Sequence, residues 1–261
     1  MIQLTCDLST PLLGLISDGQ APIRGVEVGS WFSVRDIRAY RRMLSDLPFY
    51  FHGGDLIEQV GVIPGATSRI AAHVRRAGSP WASMHLTMLL PGQVWLMLRG
   101  WRLPKPDTRR GVRRLVRQVK RLTATARVPV LLENVEPLPF QGYEFEVQPP
   151  LITDVLQEAD CGFVLDISHA RVAASVLSLD VQDYLQSLPL ERVQQVHVSG
   201  PRLLNGRLVD VHESLQEVDY ELLDFVLART QPQVVTLEYI RERQTLREQL
   251  VNLRGMLGPG S

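Results

Sequence analysis

Five of the chain's six histidines and four of its carboxylates stand where short apolar runs end, or in the connections just after them. His52 lies in FYFHGG, His85 late in WASMHLTM, and Glu133 closes the apolar stretch of LLENV. Asp166 and His169 share DISH, and His197 sits in QVHVSG. Asp210 and His212 form D-x-H, and Glu238 follows TL in TLEYI. Imidazole and carboxylate are side chains that hold divalent metals. Carboxylates gathered without a cation would repel one another and take up protons. Metal ions remove that problem, and neutral imidazoles fill coordination positions without adding charge. D-x-H puts two ligands on one side of an extended segment, because side chains alternate there. D-x-x-H lets the Asp leave a strand and the His return from the following turn. A single catalytic zinc takes about three protein ligands, so this set points to two or three ions, with Glu133 or Glu238 bridging. Each member alone has a plain structural alternative: His197 as a core imidazole, Asp210 and His212 as loop residues, Glu133 as a helix cap or an arginine partner. The joint pattern carries the metal reading. His73, in RIAAHVRR, reads as a surface or packing residue of a helix, and Glu27 and Asn134 as hydrogen-bonding support for neighbouring ligands.

Something must bring these residues to one place. Eight apolar, β-branched runs recur along the chain: 2–8, 25–31, 49–54, 81–88, 129–135, 162–168, 193–200 and 233–240. Near-continuous apolar character suits parallel strands buried on both faces. Helical spacing is expected over 33–45, 67–76, 107–126, 150–159, 172–188, 219–229 and 241–256, with Asp219 as the N-cap of the sixth. Segment 107–126 carries arginines on one side and Val112, Leu115, Val116, Val119 and Leu122 on the other. Alternation of this kind predicts a (β/α)₈ TIM barrel. The competing doubly wound sheet would place G-x-G-x-x-G after the first strand, whereas this chain has STPLLGLISDG there. In a barrel the long connections 91–106, 136–149 and 201–217 all lie at the strands' C-terminal ends, the face on which barrel enzymes build their sites.

Composition bounds the alternatives. The 261 residues are 45% hydrophobic with zero formal net charge. That length suits one barrel domain over 1–257, with 258–261 a flexible tail or a cloning remnant. Two cysteines do not make a disulfide framework, and Cys161, opening CGFVLDI, reads as a small core hydrophobe. The N-terminus has no basic stretch followed by a long apolar one, and no run reaches the ~20 residues of a membrane helix, so a cytoplasmic protein is expected. A neutral chain offers no global field for nucleic acid.

The order His52, His85, Glu133, Asp166-x-x-His169, His197, Asp210-x-His212, Glu238 resembles the metal-ligand order of xylose-isomerase-like barrels, which include endonuclease IV. The stretches LLENVEP, GFVLDISHARVAA, VQQVHVSGP, VDVHESLQEVDYELLDFVL and VVTLEYIRE resemble more closely the multinuclear non-heme iron-dependent oxidative enzymes, formerly a family of unknown function. The likeness covers most of the chain and is strongest over 129–242. It implies those nine residues as ligands, two or three irons of mixed Fe(II)/Fe(III) state, and dioxygen as co-substrate. The implied substrate is a Cys, Asp or Asn residue of a ribosomally made precursor peptide. It further implies a separate leader-recognition protein, or leader binding through the longer loops, since no sequence is left for a fused recognition domain. Many members have Asn where this chain has His169, so the ligand set here is fuller. Three other readings compete. A zinc phosphodiesterase like endonuclease IV is set against the lack of a basic stripe with interleaved aromatics; Arg99, Trp101 and Arg102 form one basic loop. A sugar isomerase or epimerase with a single metal rarely needs so many histidines, and a metal-binding adaptor would not be an enzyme.

Overall fold

In the computed structural model, which describes residues 1–53, 63–104, 107–137 and 144–258, each of the eight apolar runs contributes a strand. They are β1 (Gln3–Asp7), β2 (Gly25–Gly29), β3 (Phe49–Gly53), β4 (Ala82–His85), β5 (Val130–Glu133), β6 (Gly162–Asp166) and β7 (Val193–Val198), followed by an inserted hairpin of β8 (Gly200–Leu204) and β9 (Arg207–Glu213), and then β10 (Val234–Leu237). The barrel closes in the order β1-β10-β7-β6-β5-β4-β3-β2, and every neighbouring pair is parallel. Among the described residues only β8 and β9 pair antiparallel, outside the barrel. The expected (β/α)₈ architecture is the fold of the chain. Gly54, Lys105 and the tail beyond Gly258 lie outside the described residues.

The helices are α1 (Thr10–Ser17), α2 (Val34–Met43), α3 (Ala66–Ala77), α4 (Pro91–Leu98), α5 (Thr108–Ala126), α6 (Pro149–Ala159), α7 (Ile167–Leu177), α8 (Val181–Ser187), α9 (Glu217–Leu227) and α10 (Arg243–Leu257), with a 3₁₀ turn at Glu144–Val147. Three expectations need correction, and one helix was not expected. The stretch after β1 is helical, because Ser9 caps it by accepting from Leu12 N–H and a proline opens its first turn. The segment 172–188 is two helices: Ser178 takes a left-handed conformation (φ 55°) that ends α7, and Asp180 caps α8. Asp219 is not the N-cap of α9; it sits one turn in and accepts from the backbone N–H of Gln216, the true cap (2.7 Å). The connections 91–106 and 201–217 contain α4 and the β8–β9 hairpin rather than plain loops.

Strand alternation divides the core. Outward residues such as Leu4, Val26, Phe51, Leu132, Leu165, Val196 and Leu237 pack in the main core cluster with the surrounding helices. Tyr50, Trp81, Leu131, Val164 and Val234 make a separate apolar cluster inside the barrel. They lie towards the strands' N-terminal ends and plug the lumen. Above this plug the inward positions turn polar: Thr5, Glu27, Ser83, Gln195 and Thr236 are all buried. Gln195 on β7 donates to Glu27 on β2 (2.6 Å), strands that are not neighbours, so the contact crosses the lumen. Cys6 and Cys161 are buried free thiols, as a hydrophobic role for Cys161 requires. His73 is buried rather than on the surface, its ring nitrogens meeting the carbonyls of Arg69 (2.9 Å) and Phe32 (3.0 Å). No helix among the described residues is long and apolar enough to cross a membrane.

Candidate metal centre

Parallel pairing sets the height of each inward side chain. The register aligns His85 with Glu133, Asp166 with His197, and Asp7 with Glu27. These pairs, together with His52 and Glu238, sit at the C-terminal ends of their strands, and the lumen brings them together. Glu133 is the hub. Its Oε2 lies 3.3 Å from both His52 Nε2 and His85 Nε2. Its Oε1 lies 2.9 Å from His197 Nδ1, which is 3.0 Å from Glu238 Oε1. The β8–β9 hairpin folds over the rim and adds the last two residues: Asp210 Oδ2 stands 3.1 Å from His212 Nε2 and 3.4 Å from His169 Nε2. All nine residues expected from sequence are therefore gathered at one mouth. Asp210 and His212 reach it from a strand rather than a loop, and not by simple alternation, because His212 has a left-handed backbone (φ 47°).

Hydrogen bonds outside the cluster fix which ring nitrogen faces inward. Ser83 Oγ donates to the Phe51 carbonyl (3.0 Å) and so accepts from His52 Nδ1–H (3.0 Å). In the neutral ring this leaves the His52 Nε2 lone pair facing Glu133. The Asn134 carbonyl can only accept, so His169 Nδ1 donates to it (2.9 Å), and the Nε2 lone pair faces Asp210. Asp166 divides its oxygens. Oδ1 accepts from His169 N–H (2.6 Å) and caps α7, while Oδ2 is left to the lumen. Asn134 pairs with the Asp166 backbone through both amide groups (2.8 and 2.9 Å), and Ser199 Oγ donates to Asp210 Oδ1 (2.8 Å). Asn134 thus holds Asp166 and His169 in place, and Ser199 holds Asp210.

Lone pairs facing carboxylates repel unless a cation stands between them. Among the described residues Glu27 Oε1, Glu133 Oε2 and Asp166 Oδ2 are buried with no hydrogen-bond donor. Such oxygens are costly in a low-dielectric interior. The protonation equilibria show the same tension. Burial alone would lower the pKa of His197, yet Glu27, Glu238 and Glu133 raise it well above the usual imidazole value. His169 is raised in the same way against its own burial, chiefly by Asp166 and Asp210, and His212 reaches about 10 beside Asp210 and Glu238. Burial, with Glu238, Glu133 and Asp210 nearby, drives Asp166 up to about 8. Glu133 lies well below the carboxylate range despite burial, because His52, His197 and His85 surround it. Burial lowers His85 to about 4. Protons occupy the places that cations would take.

The residues present fit a metal cluster. Three groups with converging ligand atoms, His52–His85–Glu133, Glu133–His197–Glu238 and Glu133–Asp166–His169, share Glu133. A carboxylate common to three groups is placed to bridge. Most of these side chains are shut from solvent, whereas His85 is 29% and His212 44% exposed, so the approach lies on their side. The sequence reading missed Asp7, which groups with Glu27 and Glu238. The signal was available: TCDL ends an apolar run on a carboxylate, as LLENV does. Gln195, Ser83 and Ser199, which orient ligands, carried no such signal, since a single polar residue in an apolar run does not reveal its partner.

Residues 26–255 match the protein family described as RiPP precursor modification enzyme MbnB/TglH/ChrH. A UPF0276 protein of Anaeromyxobacter sp. is 27% identical over 188 residues, 68% of this chain and 62% of that protein, so the match spans less than two thirds of the relative. The 3-keto-D-glucoside 4-epimerase of E. coli superposes with a TM-score of 0.62 at 14% identity, over 98% of this chain and 100% of that one. Endonuclease IV of Thermus thermophilus gives 0.59 at 19% identity, over 98% of each chain. At such identities these two likenesses are of fold alone.

Proposed function

This chain belongs to the RiPP precursor modification enzyme family MbnB/TglH/ChrH, and from that premise we propose that it is a multinuclear non-heme iron enzyme that uses dioxygen to oxidise a Cys, Asp or Asn residue of a ribosomally made peptide. The observation that carries the metal part is the pair of buried, donorless carboxylate oxygens on Glu133 and Asp166, each facing imidazole nitrogens. The peptide part rests on family membership. The ions would be held by His52, His85, Glu133, Asp166, His169, His197, Asp210, His212 and Glu238, in a cluster of two or three. Mixed imidazole and carboxylate ligation suits iron. Bound iron would supply the one-electron and dioxygen chemistry that side chains lack.

The chain's own residues do the rest. The apolar plug beneath the cluster, including Tyr50 and Trp81, closes the lumen from below. Ser83, Asn134 and Ser199 hold ligands in fixed orientations, so little reorganisation accompanies metal loading. His85 and His212 stand on the solvent side, where a substrate side chain would enter. The reading places the enzyme in the cytoplasm, where such peptides are made, with a separate leader-recognition protein as a further partner.

The test is metal analysis of protein prepared without oxygen, then mass spectrometry of a co-expressed precursor peptide encoded beside it. About two or more irons per chain, and an oxygen-dependent mass change on one Cys, Asp or Asn, is the expected result. Stoichiometric zinc with cleavage of abasic DNA would overturn it in favour of a phosphodiesterase.

A further inference from the structure

Helix α5 is unlike the rest of this electrically neutral chain. Over Thr108–Ala126 it carries Arg109, Arg110, Arg113, Arg114, Arg117, Lys120 and Arg121 and no acidic residue. Three arginines outside this helix are in ion pairs, Arg171 with Asp219, Arg241 with Glu213 and Arg243 with Asp18. None of the seven basic residues of α5 is in an ion pair among the described residues. Arg110, Arg114, Arg117 and Arg121 recur at helical spacing and form one stripe. The stripe borders two grooves. One, of about 690 Å³, lies against α4 and is lined by Leu90, Trp95, Arg110, Arg114 and Arg117. The other, of about 660 Å³, lies against the start of α3 and is lined by Arg114, Arg117 and Arg121. Burial and then the neighbouring Arg117 lower the pKa of the Arg114 guanidinium, which donates to the Leu89 carbonyl and to Gln118 Oε1. Trp95 and Trp101 are exposed at the rim, edge to face at 5.4 Å, with Arg99 over the Trp95 ring at 4.5 Å.

Position ties this surface to the metal centre. His85, one of the two solvent-open imidazoles, ends β4, and Leu90, five residues later, already lines the first groove. Five residues span at most ~18 Å. A chain lying in the groove could place a residue at the metal centre with a linker of about six residues or more.

We propose that the arginine stripe of α5 and its two grooves dock an acidic segment of the substrate polypeptide, separate from the residue that is modified. The proposal rests on the reading of the substrate as a peptide. Arginine forks match carboxylates two hydrogen bonds at a time. Exposed tryptophans beside them give the apolar and cation–π contacts that a peptide side chain can use. A single-stranded nucleic acid would also meet positive charge, but aromatic platforms lie at one end of the stripe only, whereas base stacking needs them along it.

The experiment is fluorescence anisotropy on the purified full-length chain. The probes are a labelled twelve-residue peptide of Glu, Asp, Gly and Ser, the same peptide with Lys for Glu and Asp, and an oligonucleotide of equal charge. Arg110, Arg117 and Arg121 are exposed, so a triple Arg→Glu variant leaves the packed face of α5 intact. The acidic peptide should bind more tightly than either comparison probe. The variant should weaken it at least ~10-fold with unchanged metal content, and added salt should weaken it further. Equal binding of all probes, or unchanged binding by the variant, would overturn the proposal. So would tighter oligonucleotide binding through the same arginines, or a dimer in solution that the variant dissolves, which would assign the stripe to a second copy. The binding assay needs no loaded iron. A chain that binds the acidic peptide but oxidises nothing defeats the functional reading alone, and a chain that oxidises its peptide equally well without the stripe defeats this one alone.

Discussion

Glu27 stands at the edge of the centre, its carboxylate converging with His52 and His197. Its Oε2 accepts from Gln195 Nε2 at 2.6 Å, and its Oε1 lies 3.3 Å from His197 Nε2. Gln195 is held in turn by Trp81 Nε1–H, which donates to its Oε1 at 2.9 Å. The far side of the His197 ring is thus clamped by a carboxylate and an amide, while Nδ1 faces Glu133 and Glu238. A carboxylate behind a ligating imidazole fixes the ring and raises its basicity. Glu27→Gln keeps every ligand but removes that charge. It should weaken metal binding ~10–100-fold, read by competition with a chelator of known affinity. Unchanged affinity would show that Glu27 merely fills the lumen. Removing ligands should act more bluntly. His197→Ala and Asp210→Ala should each lose bound metal while circular dichroism shows the barrel intact. Full metal occupancy in both variants would refute the ligand assignment.

At the scale of elements, the hairpin and the loops above the barrel decide whether the centre is complete. Asn205 and Gly206 form a two-residue turn with both φ positive (51° and 77°), a geometry that suits Asn-Gly and the twist of the flanking strands. Gly206→Val forces a branched side chain into that turn at a cost of roughly 1–2 kcal/mol. The strain falls on the element that carries Asp210 and His212. Metal affinity should drop several-fold while unfolding of the barrel is little changed; a large loss of barrel stability would show that the hairpin is integral to the core. Glu146, buried in the 3₁₀ turn, accepts from Met88 N–H (2.7 Å) and so ties that turn to the segment after β4. Burial raises its pKa to about 7. Between about 4.5 and 7 the unfolded chain is ionised while the folded one keeps its proton, so stability falls as pH rises, by roughly 3 kcal/mol at most. Glu146→Gln should remove this slope, visible as a difference in melting temperature between variant and parent that grows from pH 4.5 to 8. A constant difference would exclude Glu146 as its source. The barrel strands were legible because each is a short apolar run bounded by polar turns. The hairpin was not, although Asn205-Gly206 is a turn signal, because β8 and β9 have little apolar alternation. The helix α1 was not read from sequence: it is only eight residues long, contains Gly14, and its start is set by the Ser9 cap.

Across the whole molecule the organising fact is charge gathered from almost every strand into one lumen. Asp7, Glu27, Glu133, Asp166 and Glu238 are buried, and the side chain of Asp210 is nearly so, against five imidazoles. That these side chains meet was readable from the strand ends and the connections just after them. The polar layer of Thr5, Ser83, Gln195 and Thr236 was not, because each is a lone polar residue whose partner lies on another strand. This arrangement makes metal loading a proton exchange. Without metal, His212 titrates at about 10, its burial outweighed by Asp210 and Glu238, and Asp166 at about 8 through burial and its acidic neighbours. Both therefore carry protons at pH 7, as does His197, whose pKa is raised well above the usual value. A metal ion takes the ring lone pair or the carboxylate oxygen, so each of these protons must leave. Loading at pH 7 should release roughly two or more protons per chain, measured by calorimetry in buffers of different ionisation enthalpy. Metal affinity should fall as pH drops from 8 to 6, because protons compete for the same atoms. Ligand binding to the folded state alone adds stability that grows with the logarithm of free ligand over its dissociation constant. Chelation should therefore lower the melting temperature by about 5–10 °C at pH 8 and by less at pH 6. Loading without proton release, or a chelation effect indifferent to pH, would mean that the metal is held elsewhere than among these side chains.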